Sequence, residues 1–299
     1  MKFPIRVMNK EQGTKSAAMR SNLSALQPFN ISTKFTYIRS AKNALLLIFT
    51  AFILQSCQEV VDIKLKDADK VLVVEGSITD QILPDTINLT KTVNFSETNN
   101  FPAVSNAEVT MSNSLGQTEI LTEVAPGKYI NQKWRGEPGA TYTLFIKYEG
   151  KEYVATSTMP ATKVSIDQLF MAPSPFGDEL QLNAVFRDPA GEKNFYRIQV
   201  WKNDTLINTS IGDDQLQDGE EIQIPLFSGR NRAYRSGDSV MVSLQCLDKN
   251  VYEYFRTLDE VTGGGMQAAS PANPRSNVSN GALGYFSAHS VKKSTFIVP

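Results

Sequence analysis

Few side chains of this 299-residue chain combine the type and spacing that chemistry requires. His289 is the one histidine, so any Ser-His-Asp relay would have to be built on it, and a metal site with several imidazoles is excluded. Its place near the end of a strand-like run favours a structural role. Cys246 alternates with Val240, Val242 and Leu244 and reads as a buried core thiol rather than a nucleophile. Asp213, Asp214, Asp218, Glu220 and Glu221 crowd around Gly219, and hard oxygen donors that close together could hold calcium. Leu216 falls where an EF-hand loop needs its next oxygen ligand. The loop is therefore read as solvated, with Asp213, Asp214 and Asp218 as the weak calcium candidate and no cofactor expected. Asp188 and Glu192 flank Pro189-Ala190-Gly191 and read as the polar ends of a turn rather than as an acid/base pair.

Cys57 is the exception. It follows Leu54-Gln55-Ser56 and closes the apolar run from Ala44 to Leu54. That run has eleven residues, about half of the ~20 a helix needs to cross the hydrocarbon of a bilayer. Arg39 and Lys42 precede it and the small Ser56 stands before the cysteine, the charged, apolar, small order of a secretory signal. The segment resembles a bacterial lipobox, which implies a diacylglycerol on the Cys57 sulfur, cleavage before it and acylation of the new amino group. Several acyl chains, at ~0.8 kcal/mol per buried methylene, hold a protein to a membrane far better than one. Residues 1–56 are expected to be a signal peptide with an overlong leader, and residues 57–69 a lipid-anchored linker.

Charge separates the leader from the rest. Residues 1–56 hold eight basic side chains and one acid, so of the 30 basic and 31 acidic residues in the chain the remaining 243 positions hold 22 and 30, a net of −8. Such a balance disfavours a phosphate backbone as partner, and no nucleic-acid binding is expected. With Cys57 acylated, Cys246 stands alone and no internal disulfide can form.

The elements that must carry these residues are mostly strands. From residue 70 to 160 short period-two runs alternate with turns such as Asn113-Ser114-Leu115-Gly116, Ala125-Pro126-Gly127 and Glu137-Pro138-Gly139, the pattern of a sandwich. Within 141–148, Tyr142, Leu144, Ile146 and Tyr148 share one face and Thr141, Thr143 and Lys147 the other. Glu149-Gly150 then makes a tight hairpin. Residues 161–299 continue in β, with one helix over 249–261 capped by Asp248, where Val251, Tyr254, Phe255 and Leu258 fall at helical spacing before Gly263-Gly264-Gly265. The expectation is a mainly β protein of two consecutive sandwiches of immunoglobulin-like or transthyretin-like Greek-key type, residues 70–160 and 161–299, with one short helix in the second. Residues 263–280, rich in Gly, Ser, Pro and Asn, form the longest unpatterned loop. Pro271, Pro274 and Arg275 are its candidate partner contacts.

Four blocks carry a wider resemblance: Val60-Val61-Asp62-Ile63 after the cysteine; Leu72-Val73-Val74-Glu75-Gly76-Ser77-Ile78-Thr79-Asp80; Asp188 through Asn194-Phe195-Tyr196-Arg197; and Asn273-Pro274-Arg275 through Leu283-Gly284-Tyr285-Phe286. Together they resemble a lipoprotein family of Bacteroidota, the domain-of-unknown-function family four-two-four-nine. The resemblance implies outer-membrane lipoproteins, often encoded near TonB-dependent receptors, and brings no catalytic residues with it. Thr86, Thr205 and Ser239, each after an aspartate and before an apolar residue, resemble the short O-glycosylation acceptor of that phylum. The functional expectation is a non-catalytic accessory or binding lipoprotein, membrane-held at the outer membrane on its periplasmic or cell-surface face, working with an outer-membrane β-barrel receptor. The alternative is a cell-surface adhesion or glycan-binding module.

Overall fold

The computed structural model describes residues 69–299 apart from 83, 95–96, 99, 175–179, 229–232 and 263–272. Leu54, Gln55, Ser56, Cys57 and Pro271 lie outside the described residues. The described residues form one compact unit, and within it strands dominate. Fifteen strands and one helix are described, the helix α1 spanning Lys249–Thr262.

The first sandwich pairs a four-stranded sheet, in the order β4 (Thr118–Ile120), β3 (Glu108–Asn113), β7 (Thr141–Tyr148), β8 (Lys151–Thr158), with a sheet running β1 (Leu72–Thr79), β2 (Asp85–Lys91), β6 (Lys128–Asn131), β5 (Thr122–Ala125). The alternation expected of β7 is what packs. Tyr142, Leu144 and Ile146 are buried, while Thr143, Phe145 and Lys147 face outward. Each fully buried large apolar side chain contributes roughly 1.5–3 kcal/mol. The Glu149-Gly150 hairpin forms as expected, with φ of 48° and 73°, the positive pair of a type I′ turn whose twist suits the strands it joins.

The second sandwich sets β13 (Glu221–Leu226), β10 (Leu180–Arg187) and β9 (Gln168–Pro173) against β12 (Thr205–Asp213), β11 (Phe195–Lys202) and β14 (Ser239–Leu247). Its core draws Leu182, Ala184 and Phe186 from one sheet and Tyr196, Ile198, Val242, Leu244 and Cys246 from the other. The apolar face of α1, through Val251, Tyr254 and Phe255, covers Phe195 and Leu247 on the outer side of the second sheet. Asp248 caps the helix as its sequence suggested, its Oδ1 accepting from Asn250 N at 2.8 Å and Val251 N at 3.0 Å.

One strand belongs to both sandwiches. β15 (Leu283–Ile297) pairs parallel with β1 from Leu283 to His289 and antiparallel with β14 from Ser290 to Ile297. It joins the two inner sheets into one of eight strands, so the strand ladder runs across residue 160. Phe286 and Ala288 enter the first core and Val298 the second. The transfer point is clasped by Asp80, whose Oδ1 accepts from Val291 N at 2.9 Å while its Oδ2 pairs with Lys163 at 2.9 Å.

Candidate functional site

Three places hold the side chains singled out by type. The first is the loop cluster beside β11. Carboxylate oxygens of Asp188, Asp214 and Asp218 lie within 4.8 Å of one another, the first two residues buried. Asp214 and Asp218 were expected here, but Asp213 instead faces Lys193 at 4.0 Å and Asp188 takes its place. Asp188 is buried and Glu192 exposed. Its Oδ1 accepts from Tyr196 Oη and its Oδ2 from Gly219 N at 3.0 Å. Burial, and then the Asp188 carboxylate, push the Tyr196 phenol far up. Asp214 accepts from Asn194 N at 2.8 Å and Asp218 from Gly191 N at 2.8 Å.

Each carboxylate thus ties the 188–194 loop to the 214–220 loop. The oxygens are of the kind calcium takes, yet each of the three carboxylates already accepts a backbone N–H. The melting temperature is expected to be the same with and without a divalent-cation chelator. A drop of many degrees in chelator would place a structural calcium ion among Asp188, Asp214 and Asp218.

The second place is the interior. His289 is 6% exposed on β15 and shares a hydrogen bond of 2.8 Å with Ser287 Oγ. Burial pulls its imidazole down to about 4, so it is neutral near pH 7. Cys246 is buried as expected and burial pushes its thiol up, which lowers its thiolate fraction.

The third place is an open groove of 780 Å³ between α1 and the segment after the long loop. Asn277 holds this segment to β15, Nδ2 donating to Phe286 O at 2.7 Å and Oδ1 accepting from Phe286 N at 3.0 Å. Ser279 N donates to Val154 O at 2.8 Å and Ser279 Oγ accepts from Val154 N at 2.8 Å, which covers the otherwise open edge of β8. Arg275, 71% exposed through its side chain, reaches Glu253 on α1 at 3.5 Å, and its backbone N donates to Thr257 Oγ1 at 2.9 Å. Pro274 is half-buried.

Residues 58–295 match the family described as Domain of unknown function (DUF4249). The chain belongs to that family. No curated protein sequence matches it. In this DUF4249 chain three of the four blocks that carried the resemblance prove to be joints of the fold, and Val60-Val61-Asp62-Ile63 lies outside the described residues. Leu72–Asp80 forms β1 and the clasp, Asp188–Arg197 the loop cluster and β11, and Asn273–Phe286 the cover over β8 together with the start of β15.

The glycosylation candidates differ in access. Thr205 and Ser239 are exposed at one end of the second sandwich, whereas Thr86 is half-buried in β2 between β1 and β6. Trp134 stacks on the buried Tyr142 at 5.7 Å, which commits one face of its ring to packing. Sequence reasoning missed Arg197. Its signal was a cation between Tyr196 and Ile198 in the middle of β11, a strand with apolar residues on both faces. Among the described residues no helix is long and apolar enough to cross a membrane.

Proposed function

We propose that the protein is a lipid-anchored outer-membrane lipoprotein that binds a ligand or partner without transforming it, in association with a TonB-dependent β-barrel receptor. The observation that carries this reading is the division of labour among the polar side chains. His289 and Cys246 are committed to the interior and Asp188, Asp214 and Asp218 to loop bonds, while the groove between α1 and Arg275 to Ser279 stays open. Lys249, Asn250, Glu253 and Arg275 offer charges and donors there, suited to charge-assisted bonds with a partner. The anchor is supplied by Cys57 after its short apolar run.

The experiment is labelling with palmitate combined with recovery from detergent-solubilised outer membranes. The parent chain is expected to carry label and to bring down a β-barrel receptor. Cys57→Ser is expected to lose the label entirely and to accumulate as precursor or soluble protein. Unchanged labelling of Cys57→Ser would remove the anchor. A labelled protein that recovers no receptor but binds on a glycan array would move the assignment to a glycan-binding or adhesion module, and turnover by the purified chain would make it an enzyme.

A further inference from the structure

A second opening lies on the other side of α1, where the helix meets the edge strand β12. It is a cleft of about 390 Å³, within the ~300–1,000 Å³ of small-molecule sites. Ile211, Phe255 and Leu258 give it apolar walls, Thr209 supplies a hydroxyl on the same face of β12 as Ile211, and Arg197 lines it from β11.

Arg197 is the informative residue. It stands in register with Ile211 of β12 and Gln245 of β14, on the outer face of a sheet whose inner face holds Tyr196, Ile198 and Val200. Its guanidinium carbon sits 4.1 Å from the centre of the Phe255 ring. That stack uses the face of the group and leaves the in-plane N–H donors to find other partners. They are poorly served. Nη1 reaches Gln245 Oε1 only at 3.5 Å, and Nε, shielded from water, has no hydrogen bond.

Among the described residues no carboxylate pairs with Arg197. Burial lowers its affinity for its proton, the direction expected of a cation taken out of water without an anion. A guanidinium in this position costs free energy unless an anion joins it, and the stack on Phe255 holds the fork in one orientation ready for one.

We infer that this cleft binds a small monocarboxylate with an apolar body. The carboxylate meets Arg197 and the hydroxyl of Thr209, and the body lies against Ile211, Phe255 and Leu258. Asp259 also lines the cleft, so the local positive charge is small, which favours a singly charged carboxylate over a phosphate dianion. This deepens the reading as a binding protein but is independent of the anchor. Loss of palmitate label or receptor recovery tests that reading, and carboxylate binding tests this one.

The experiment is calorimetric titration of the purified full-length chain with phenylacetate, octanoate, phenylacetamide and inorganic phosphate. Saturable binding of at least one carboxylate is expected, with the amide at least tenfold weaker and phosphate undetectable. Arg197→Lys keeps the charge and loses the fork, and is expected to weaken binding about tenfold; Arg197→Gln is expected to abolish it. Since Arg197 also packs on α1, a second variant approaches from the rim. Thr209→Trp, at an exposed position of the edge strand in register with Gln199 on the outer face, should fill the cleft and remove binding while the melting temperature stays near that of the parent. Asp259→Asn should tighten carboxylate binding a few-fold. Failure of both carboxylates to bind the parent chain overturns the assignment, as does binding that Arg197→Gln and Thr209→Trp leave intact. Equal binding of the amide, preference for phosphate, or weaker binding by Asp259→Asn overturns the monocarboxylate class.

Discussion

Gly284→Ala is expected to lose on the order of 3–5 kcal/mol of folding free energy, a large share of the ~5–15 kcal/mol that holds a domain together. A Cβ at this position would stand 1.9 Å from Val74 O and 2.8 Å from Val74 C, inside the parallel ladder between β15 and β1. The backbone also holds φ at +89°, where an L side chain adds roughly 1–2 kcal/mol. The remainder comes from prising apart buried ladder bonds, each about 1–3 kcal/mol when left unmade.

Neither side can yield cheaply, because Val74 and Phe286 are both 0% exposed in the first core. Gly281 supplies the control. Its φ is +76° but nothing lies within 4 Å of a Cβ there, so Gly281→Ala should cost only the conformational ~1–2 kcal/mol. Denaturant unfolding of both variants measures the contrast. Equal losses would mean that the close approach of β15 to β1 contributes nothing.

The second large effect is a change in the shape of the stability profile with pH. Asp85 is 9% exposed on β2, with Oδ1 accepting from Thr79 N at 3.1 Å and Thr79 Oγ1 at 2.8 Å, and Oδ2 without a partner. Burial raises its carboxyl from 3.8 to about 6. Because the folded value lies above the unfolded one, the stabilising contribution of the protonated acid is complete below 3.8 and lost as pH rises through 6. At about 1.4 kcal/mol per pH unit, the ionised buried acid costs roughly 3 kcal/mol near pH 8.

His289 has the opposite slope. Its folded value of about 4 lies below the 6.5 of the unfolded chain, so stability falls by roughly 3 kcal/mol as pH drops from 6.5 towards 4. In the parent chain the two slopes nearly cancel between those limits. Asp85→Asn cannot ionise. It is expected to exceed the parent by about 2–3 kcal/mol near pH 8 and to lose that advantage near pH 4, leaving the uncompensated fall due to His289. Urea unfolding across this range reads it directly, and parallel profiles for the two chains would exclude a buried acid at Asp85.

Legibility followed the range of the interactions involved. The alternation in β7 and the Glu149-Gly150 turn rest on contacts a few residues apart, and so does the Asp248 cap. Each was readable from neighbouring residue types. Two short elements with weak patterns, β5 (Thr122–Ala125) and β9 (Gln168–Pro173), were harder, because both lie at sheet edges and are half-exposed or exposed throughout. The C-terminal run carries its apolar pattern in two stretches, Leu283 to Ser290 and Thr295 to Val298. In the structure it is one strand, since Lys292, Lys293 and Ser294 break the apolar pattern without breaking the ladder to β14.

The linear order of residues, by itself, determined that this is a chain of sandwich strands with one capped helix, and it is the whole basis for expecting acylation at Cys57. Period, turn chemistry, capping and processing all act on adjacent residues. Tertiary structure alone decided that β15 would pair first with β1 and then pass to β14, that Asp188 rather than Asp213 would join Asp214 and Asp218, and that Arg197 would stack on Phe255 beside an open cleft. These pairings join residues tens to about two hundred positions apart. Which partner wins depends on the register and packing of whole sheets, to which no short window of sequence has access.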